Sequence, residues 1–266
     1  MEQNTNNSMA ATDLRMPDIK NYLYETVGKV IEVKGYKFKK TNYSFTRKQG
    51  KDYEEIYFLF HNYFPLKYDS HFSLRIWNAE IQRIKKLFPY QQNIENFGFS
   101  TLTIPMGEFV AKERIREQVQ KYENGFILDS VTGDFVKDES AGKRKDLTWA
   151  QIAGHSFELV TSKDLFEASE EMKRLLEEQI LPLSNRLSTI DGIDAFFAGR
   201  PGWSVKSLSP NNSASELIAA KLNNKRNYRD VFEQILGEID KRIASAGMSH
   251  EIRKIVEELY KYLQTQ

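Results

Sequence analysis

The chain has 266 residues, of which 40% are hydrophobic and 12% aromatic, so it can bury a sizeable core. Its formal net charge of +1 excludes a uniformly basic protein that coats nucleic acid, but it leaves local basic patches open. Because the sequence contains no cysteine, disulfides, cysteine-bound zinc, iron–sulfur clusters and thiol nucleophiles are excluded.

The N-terminal segment, residues 1–16, is polar and rich in asparagine. It has no basic segment followed by an apolar one, as a secretory signal has, and we expect it to be disordered. The longest apolar stretch, Ile56 to Leu66, is interrupted by Pro65 and is much shorter than the ~20 residues of a membrane-spanning helix. We therefore expect a cytoplasmic protein that does not span a membrane.

Helical spacing follows this segment. Ile19, Leu23 and Val27 recur at intervals that place them on one face of a helix. Pro17 suits the first turn of that helix, and Gly35 suits the left-handed residue at its end.

Strand periodicity then takes over between residues 36 and 77. Apolar and polar side chains alternate over 36–39, 43–48 and 72–77, while residues 54–63 are apolar at both parities. The last pattern predicts a central strand that is covered on both faces. Short turns separate these runs, so an antiparallel meander is the simplest topology.

The middle of the chain predicts helices that alternate with short strands. Pro182 is expected to kink the helix that begins near Ser162 or Asp164, or to end its first segment. The predicted elements are a helix at 81–88, a strand at 100–104, a helix at 108–122, a weak hairpin of 126–128 and 134–136, a charged loop at 137–146, a strand at 156–160 and a short helix at 192–197.

A Ser/Asn-rich stretch, 204–212, predicts the best internal boundary. Ser213 and Glu216 have the spacing of a capping box that opens a helix, and two further helical stripes follow at 228–243 and 252–263. The fold class we predict is α+β: an antiparallel sheet of about five strands with packed helices and a C-terminal helical hairpin. Residues 17–203 form the α+β domain, and residues 213–266 form a helical segment packed on it.

The order of elements resembles an uncharacterised bacterial family, domain of unknown function 4304. The resemblance lies in the pattern Gly-Tyr-Lys-Phe-Lys-Lys-x-x-Tyr-x-Phe-x-Arg at 35–47, in the apolar strands after it, and in Ile180-Leu181-Pro182-Leu183 ahead of the Phe196-Phe197 helix. It covers roughly residues 18–200. It implies an α+β fold and a bacterial origin, and it brings no known activity or catalytic residues.

A basic, aromatic block holds most of the candidate ligand-facing groups. Residues 29–51 carry eight lysines or arginines and a single acid, Glu32. The lysines can neutralise phosphates while exposed aromatics stack on bases. Alternatively, they form the solvent face of edge strands, where they block aggregation. The candidate binding surface consists of Lys37, Lys39, Lys40, Arg47, Lys48, His61, His71 and Arg75.

Arg47 has an unexpected parity, because it shares a strand face with Tyr43 and Phe45. A buried arginine needs an acidic or carbonyl partner, so we expect either a structural ion pair or an anion-binding group at the floor of a groove. His71 and Arg75 share one parity of a later strand. If their face coincides with those of Arg47 and His61, the four side chains form a polar concavity suited to an enzyme.

Catalytic and metal-binding motifs are missing from the sequence. The histidines lack metal-ligand spacing. The sequence contains no glycine-rich phosphate-binding loop followed by Lys-Ser/Thr, and no Gly-x-Ser-x-Gly nucleophile elbow. The acidic residues on one side of the 164–178 helix indicate a solvent-exposed face, or a surface that complements the basic strands of this molecule or of a partner. The leading hypothesis is a non-enzymatic protein-binding module or regulator without a cofactor. The alternatives are a nucleic-acid-binding accessory protein that uses the 29–51 patch and, third, an enzyme.

Overall fold

The computed structural model describes residues 14–63, 67–88, 100–122, 126–128, 135–137, 149–206, 210–246 and 250–266. The strands are β1 (Lys37–Lys39), β2 (Ser44–Gln49), β3 (Asp52–Tyr63), β4 (Lys67–Trp77), β5 (Leu102–Pro105), β6 (Phe126–Leu128), β7 (Phe135–Lys137) and β8 (Phe157–Leu159). The helices are α1 (Met16–Leu23), α2 (Lys29–Val33), α3 (Ala79–Leu87), α4 (Lys112–Tyr122), α5 (Trp149–Ala153), α6 (Ser162–Leu175), α7 (Leu181–Arg186), α8 (Ile190–Ala198), α9 (Trp203–Lys206), α10 (Pro210–Asn223), α11 (Tyr228–Ala246) and α12 (His250–Gln264).

The main sheet is antiparallel and has six strands. Strands β1 to β4 pair in chain order, which confirms the predicted meander. The next two strands share one edge of β4: β5 pairs with residues 73–76 and β8 pairs with residues 68–70. Strands β6 and β7 form a separate two-stranded hairpin, close to the predicted one. The predicted loop at 137–146 lies outside the described residues except for Lys137, which ends β7.

The hydrophobic core lies on one face of the main sheet. Phe45, Ile56, Phe58, Phe72 and Leu74 share that face and are almost completely buried. The prediction that β3 is covered on both faces is wrong. Its other parity carries Tyr57 and Leu59, which are only partly buried and do not belong to the buried core.

The first helix buries the predicted apolar residues Ile19, Leu23 and Val27, but it is not regular. A π-helical turn, Tyr24–Gly28, joins α1 to α2 and contacts α6. Gly28 is required there, since a Cβ atom at this position would lie 2.7 Å from the ring of Phe45. Gly35 has φ of +87°, which confirms its predicted role at the helix end.

The helix that contains Pro182 continues past the proline. A second π-helical turn, Leu176–Ile180, follows α6, and Pro182 lies in the first turn of α7. The proline comes just after the π-helical turn, where the regular i→i−4 ladder is already interrupted, so the helix continues through it. Thr161 caps α6, and its partner in the capping box is Asp164.

The predicted capping box at Ser213 is wrong. Helix α10 begins three residues earlier, at Pro210, and Ser213 is a buried residue inside it that donates a hydrogen bond to the Ser204 carbonyl. The polar residues of this stretch face protein instead of water: Asn211 donates to the Ser100 carbonyl at 2.8 Å, and Ser215 donates to that of Thr101. Helix α10 thus contacts α3 and β5, while α11 and α12 pack on it and on each other.

Candidate binding surface

The side of the sheet opposite the core, which we call the outer face, carries most of the candidate residues. Strand register places side chains of one parity from four strands on it. Its central members are Lys37, Lys39, Thr46, Lys48, Tyr53, Glu55, Tyr57, Arg75 and Trp77. The three lysines are exposed, and the three aromatic residues are partly exposed.

Two aromatic rings meet at one end of the outer face. Tyr53 lies opposite Trp77 in the β3–β4 register and opposite Lys48 in the β2–β3 register. The Tyr53 and Trp77 ring centroids are 4.9 Å apart with an interplanar angle of 60°. The Lys39 Nζ donates a hydrogen bond of 3.0 Å to the Tyr53 hydroxyl and lies 5.2 Å from its ring centroid. The turn at Gly50, with φ of +63°, sets this register.

A second arrangement on the outer face joins a guanidinium to a ring. Arg75 lies 4.1 Å over the ring centroid of Tyr57, and its Nη1 donates to Glu55 Oε2 at 3.3 Å. Glu55 is buried, whereas the Arg75 side chain keeps 32% of its exposure. The carboxylate therefore fixes the guanidinium against the ring and leaves part of it open to solvent.

Arg47 points to the core side of the sheet, away from the outer face. It faces Glu54 across β2 and β3, with 2.9 Å between Nη2 and Oε2, and the two side chains are 16% and 2% exposed. Its guanidinium also bonds to Asn185 Oδ1 at 2.7 Å and lies over the ring of Tyr36. Of the two expectations for Arg47, the structure contains the ion pair.

Partners of this ion pair come from a distant part of the chain. The Tyr36 hydroxyl donates to Glu54 at 2.7 Å, and Ser184 also donates to the same carboxylate oxygen. Burial, followed by the charge of Glu54, raises the pKa of Tyr36. No local pattern predicts Ser184, because it follows Glu54 by 130 positions.

The four residues of the enzyme hypothesis do not converge. His61 and His71 meet on the outer face with ring centroids 5.3 Å apart. Arg75 lies on the same face but four residues further along β4, or about 13 Å away at the usual rise of a strand. Arg47 lies on the opposite face of the sheet. Burial, with the charge of His61, lowers the pKa of His71 to about 4, so its imidazole is neutral at pH 7.

The remaining lysine candidate, Lys40, is exposed in the turn between β1 and β2. Within the described part of the chain, no three histidine or acidic side chains come together to hold a metal ion. None of the described helices is both long and apolar enough to cross a bilayer.

Comparison with known proteins gives no relative: no protein-family model, no curated protein and no solved structure matches the chain. The resemblance to domain of unknown function 4304 therefore stays a prediction from the sequence pattern.

Proposed function

We propose that this protein is a non-catalytic accessory protein that binds single-stranded nucleic acid on its outer face. The observation that carries the proposal is the combination of exposed cations and aromatic rings on one side of an antiparallel sheet. The sequence favoured a protein partner, and the arrangement of this face favours the nucleic-acid alternative instead.

Charge supports the proposal. Among the central members of the outer face, Lys37, Lys39, Lys48 and Arg75 stand against one acid, Glu55. Exposed lysines near a nucleic-acid backbone neutralise phosphates and release condensed counterions, which drives binding regardless of base sequence. An anionic polymer therefore complements this face better than an uncharged surface does.

The aromatic residues favour a single strand over a duplex. Base stacking on an aromatic side chain contributes about 1–3 kcal/mol per base, and every base has a ring face to offer. Tyr53, Tyr57 and Trp77 provide such rings, and the Arg75 guanidinium extends the stacking surface over Tyr57. Bases in a duplex are already stacked on each other, so they gain nothing from these rings.

Fluorescence anisotropy with labelled single-stranded DNA and RNA of mixed sequence tests the proposal, with a duplex of equal length for comparison. Affinity is expected to fall steeply with salt. The combined variant Lys37→Glu, Lys39→Glu and Lys48→Glu should lower the slope of log affinity against log salt by about 0.7 for each phosphate that the variant no longer neutralises. A matched triple reversal on helix surfaces, at Lys112, Lys163 and Lys261, carries the same change in net charge and should leave the slope nearly unchanged.

The aromatic part has its own variant. Trp77→Ala should weaken single-strand binding roughly 5- to 150-fold without changing the salt slope, since stacking releases no counterions. Phe166, an exposed ring on α6, supplies the control Phe166→Ala, which should bind normally. Equal weakening in both triple reversals, or no binding at low salt by a folded protein, contradicts the proposal and favours the protein-partner alternative.

A further inference from the structure

Consecutive glutamates of β3 each hold an arginine from a neighbouring strand, one on either face of the sheet. On the core side Glu54 pairs with Arg47. On the outer face Glu55 pairs with Arg75. In both arrangements the guanidinium also lies over a tyrosine ring. The two arginines therefore have similar surroundings, and they differ in how many of their N–H groups are engaged.

Arg47 engages all three of its guanidinium nitrogens within the protein. Its Nε and Nη2 donate to Glu54. Nη2 also donates to Ser184 and Asn185, and Nη1 donates to the Lys34 carbonyl. Only 16% of the side chain is exposed. Neighbouring groups thus occupy this guanidinium, and we assign Arg47 to the fold.

Arg75 engages a single guanidinium nitrogen. Its Nη1 donates to Glu55 Oε2 at 3.3 Å, whereas Nε and Nη2 form no hydrogen bond with the described residues. Neither of these nitrogens is buried, and the side chain is 32% exposed. The buried Glu55 and the Tyr57 ring, 4.1 Å from the guanidinium carbon, still hold the group in place. Because a guanidinium offers five N–H donors in a fixed fork, Arg75 presents oriented and unused donors on the outer face.

An aromatic ring lies next to this guanidinium. Trp77 shares the outer face of β4 with Arg75 and lies two residues further along, or about 7 Å at the usual rise of a strand. The indole is partly exposed, and the Tyr53 ring packs against it. A base that stacks on Trp77 therefore brings its edge close to the unused donors of Arg75.

These donors match guanine best among the bases. The guanine edge carries two adjacent acceptors, O6 and N7, which arginine binds with two parallel N–H bonds. Adenine has a donor beside its N7, cytosine presents a donor, and thymine presents a single carbonyl, so none of these accepts both bonds. A phosphate also accepts two bonds from arginine. Because the Glu55 carboxylate offsets the charge of Arg75, however, the exposed lysines of the outer face are the better phosphate partners.

We propose that Arg75 reads a guanine base, so that the outer face selects single strands that contain guanine. This inference rests on the proposed function, since it assigns a base to the same surface. The lysines and aromatic rings bind a strand of any sequence, and the Arg75 guanidinium adds a preference at one nucleotide.

Fluorescence anisotropy with labelled thymidine oligonucleotides of equal length tests this assignment. One oligonucleotide is all thymidine, and the others carry a single central guanine, adenine or cytosine, which avoids the structures that runs of guanine form. The guanine oligonucleotide should bind roughly 5- to 150-fold more tightly than the others. Replacement of guanine by 7-deazaguanine removes the N7 acceptor and should abolish most of this preference. Hypoxanthine lacks the 2-amino group but keeps O6 and N7, so it should bind as guanine does.

Arg75→Lys keeps the positive charge but lacks the planar fork, so the preference for guanine should disappear. The ratio of the guanine and thymine affinities is taken within each variant, so a general loss of affinity does not affect it. Arg83→Lys, at an exposed position on α3, is the matched control and should keep the ratio of the unaltered protein.

The outcomes separate this inference from the proposed function. Absence of single-strand binding by the folded protein overturns both. Binding without a preference for guanine overturns the inference alone, and a lower salt slope in Arg75→Ala then assigns the guanidinium to a phosphate. A preference that persists in Arg75→Lys, or that is lost with hypoxanthine, also overturns the inference, because other groups then read the base.

Discussion

Arg47 and Glu54 face each other across β2 and β3 on the core side of the sheet, with 2.9 Å between Nη2 and Oε2. The carboxylate is almost fully buried, and Tyr36 and Ser184 donate to the oxygen that the arginine contacts. A charge in this position is stabilised only while its partner is present, so the pair links β2 and β3 to α7, the helix that carries Ser184.

Glu54→Leu is expected to destabilise the protein by about 3–5 kcal/mol, because it leaves Arg47 without its carboxylate in a largely buried site. Urea unfolding followed by circular dichroism gives the change in the free energy of unfolding. The double variant Arg47→Leu and Glu54→Leu removes both charges and should be more stable than the sum of the two single changes predicts. Strict additivity contradicts the coupling.

Arg226 bridges two buried carboxylates on different helices. Its Nε lies 2.7 Å from Asp194 on α8, and its Nη1 lies 3.2 Å from Glu216 on α10. Both acids are nearly inaccessible to solvent, and burial raises the pKa of Glu216. Arg226→Met is therefore expected to lower the free energy of unfolding by about 3–5 kcal/mol at pH 7.

The control for this change is Arg229→Met, three residues further along the chain, on α11. Arg229 pairs with Glu233 at 3.0 Å, but both side chains are well exposed. Exposed pairs contribute about 0–1 kcal/mol, so this variant should unfold almost as the unaltered protein does. Similar losses in the two variants, measured by urea unfolding, argue against the buried bridge.

His71 and His155 predict an acid-sensitive fold. Burial lowers the pKa of each to about 4, below the ordinary value of 6.5. Between these values the unfolded chain binds protons that the folded protein excludes, so stability is complete above about pH 6.5 and is lost as the pH falls toward 4. Each unit of difference in pKa corresponds to about 1.4 kcal/mol.

Urea midpoints between pH 4 and pH 7.5 measure this loss. His71→Gln and His155→Gln should each flatten the dependence on pH, because the new side chain does not titrate. His250→Gln, at an exposed position on α12, should leave the dependence as it is. An unchanged slope in both buried-histidine variants contradicts the assignment.

The sequence predicts the sheet well because strand alternation is a local property. Parity alone places Arg47 on the face of Tyr43 and Phe45, and the structure confirms this placement. The partners of Arg47 are another matter, since Ser184 and Asn185 reach it from 137 and 138 positions away. Such contacts depend on how α7 packs, and no pattern within a strand or helix encodes them.

Local polarity also misleads the prediction where the fold buries polar residues in its interior. The Ser/Asn-rich stretch before Ser213 has the composition of a loop, yet Asn211 and Ser215 are buried against the backbone of residues 100–101. For a related reason, the sequence did not indicate Tyr53 as a residue of the binding surface. It stands next to the turn at Gly50, and only the observed register brings it beside Trp77.

Lys85 predicts a rise in stability at alkaline pH. Its side chain is completely buried on α3, where its ammonium donates to Asn211 at 2.7 Å, and burial lowers its pKa to about 7 from 10.5. Between about pH 7 and pH 10.5 the unfolded chain holds a proton that the folded protein has released, so the free energy of unfolding increases with pH across this window. Below pH 7 both states are charged and the cost of burying the ammonium is constant.

Lys85→Met should abolish this rise in stability and should stabilise the protein most at neutral pH. The exposed Lys112→Met should leave the rise unchanged. Urea unfolding from pH 7 to pH 10 measures both, and a rise that persists in Lys85→Met assigns the proton to another group.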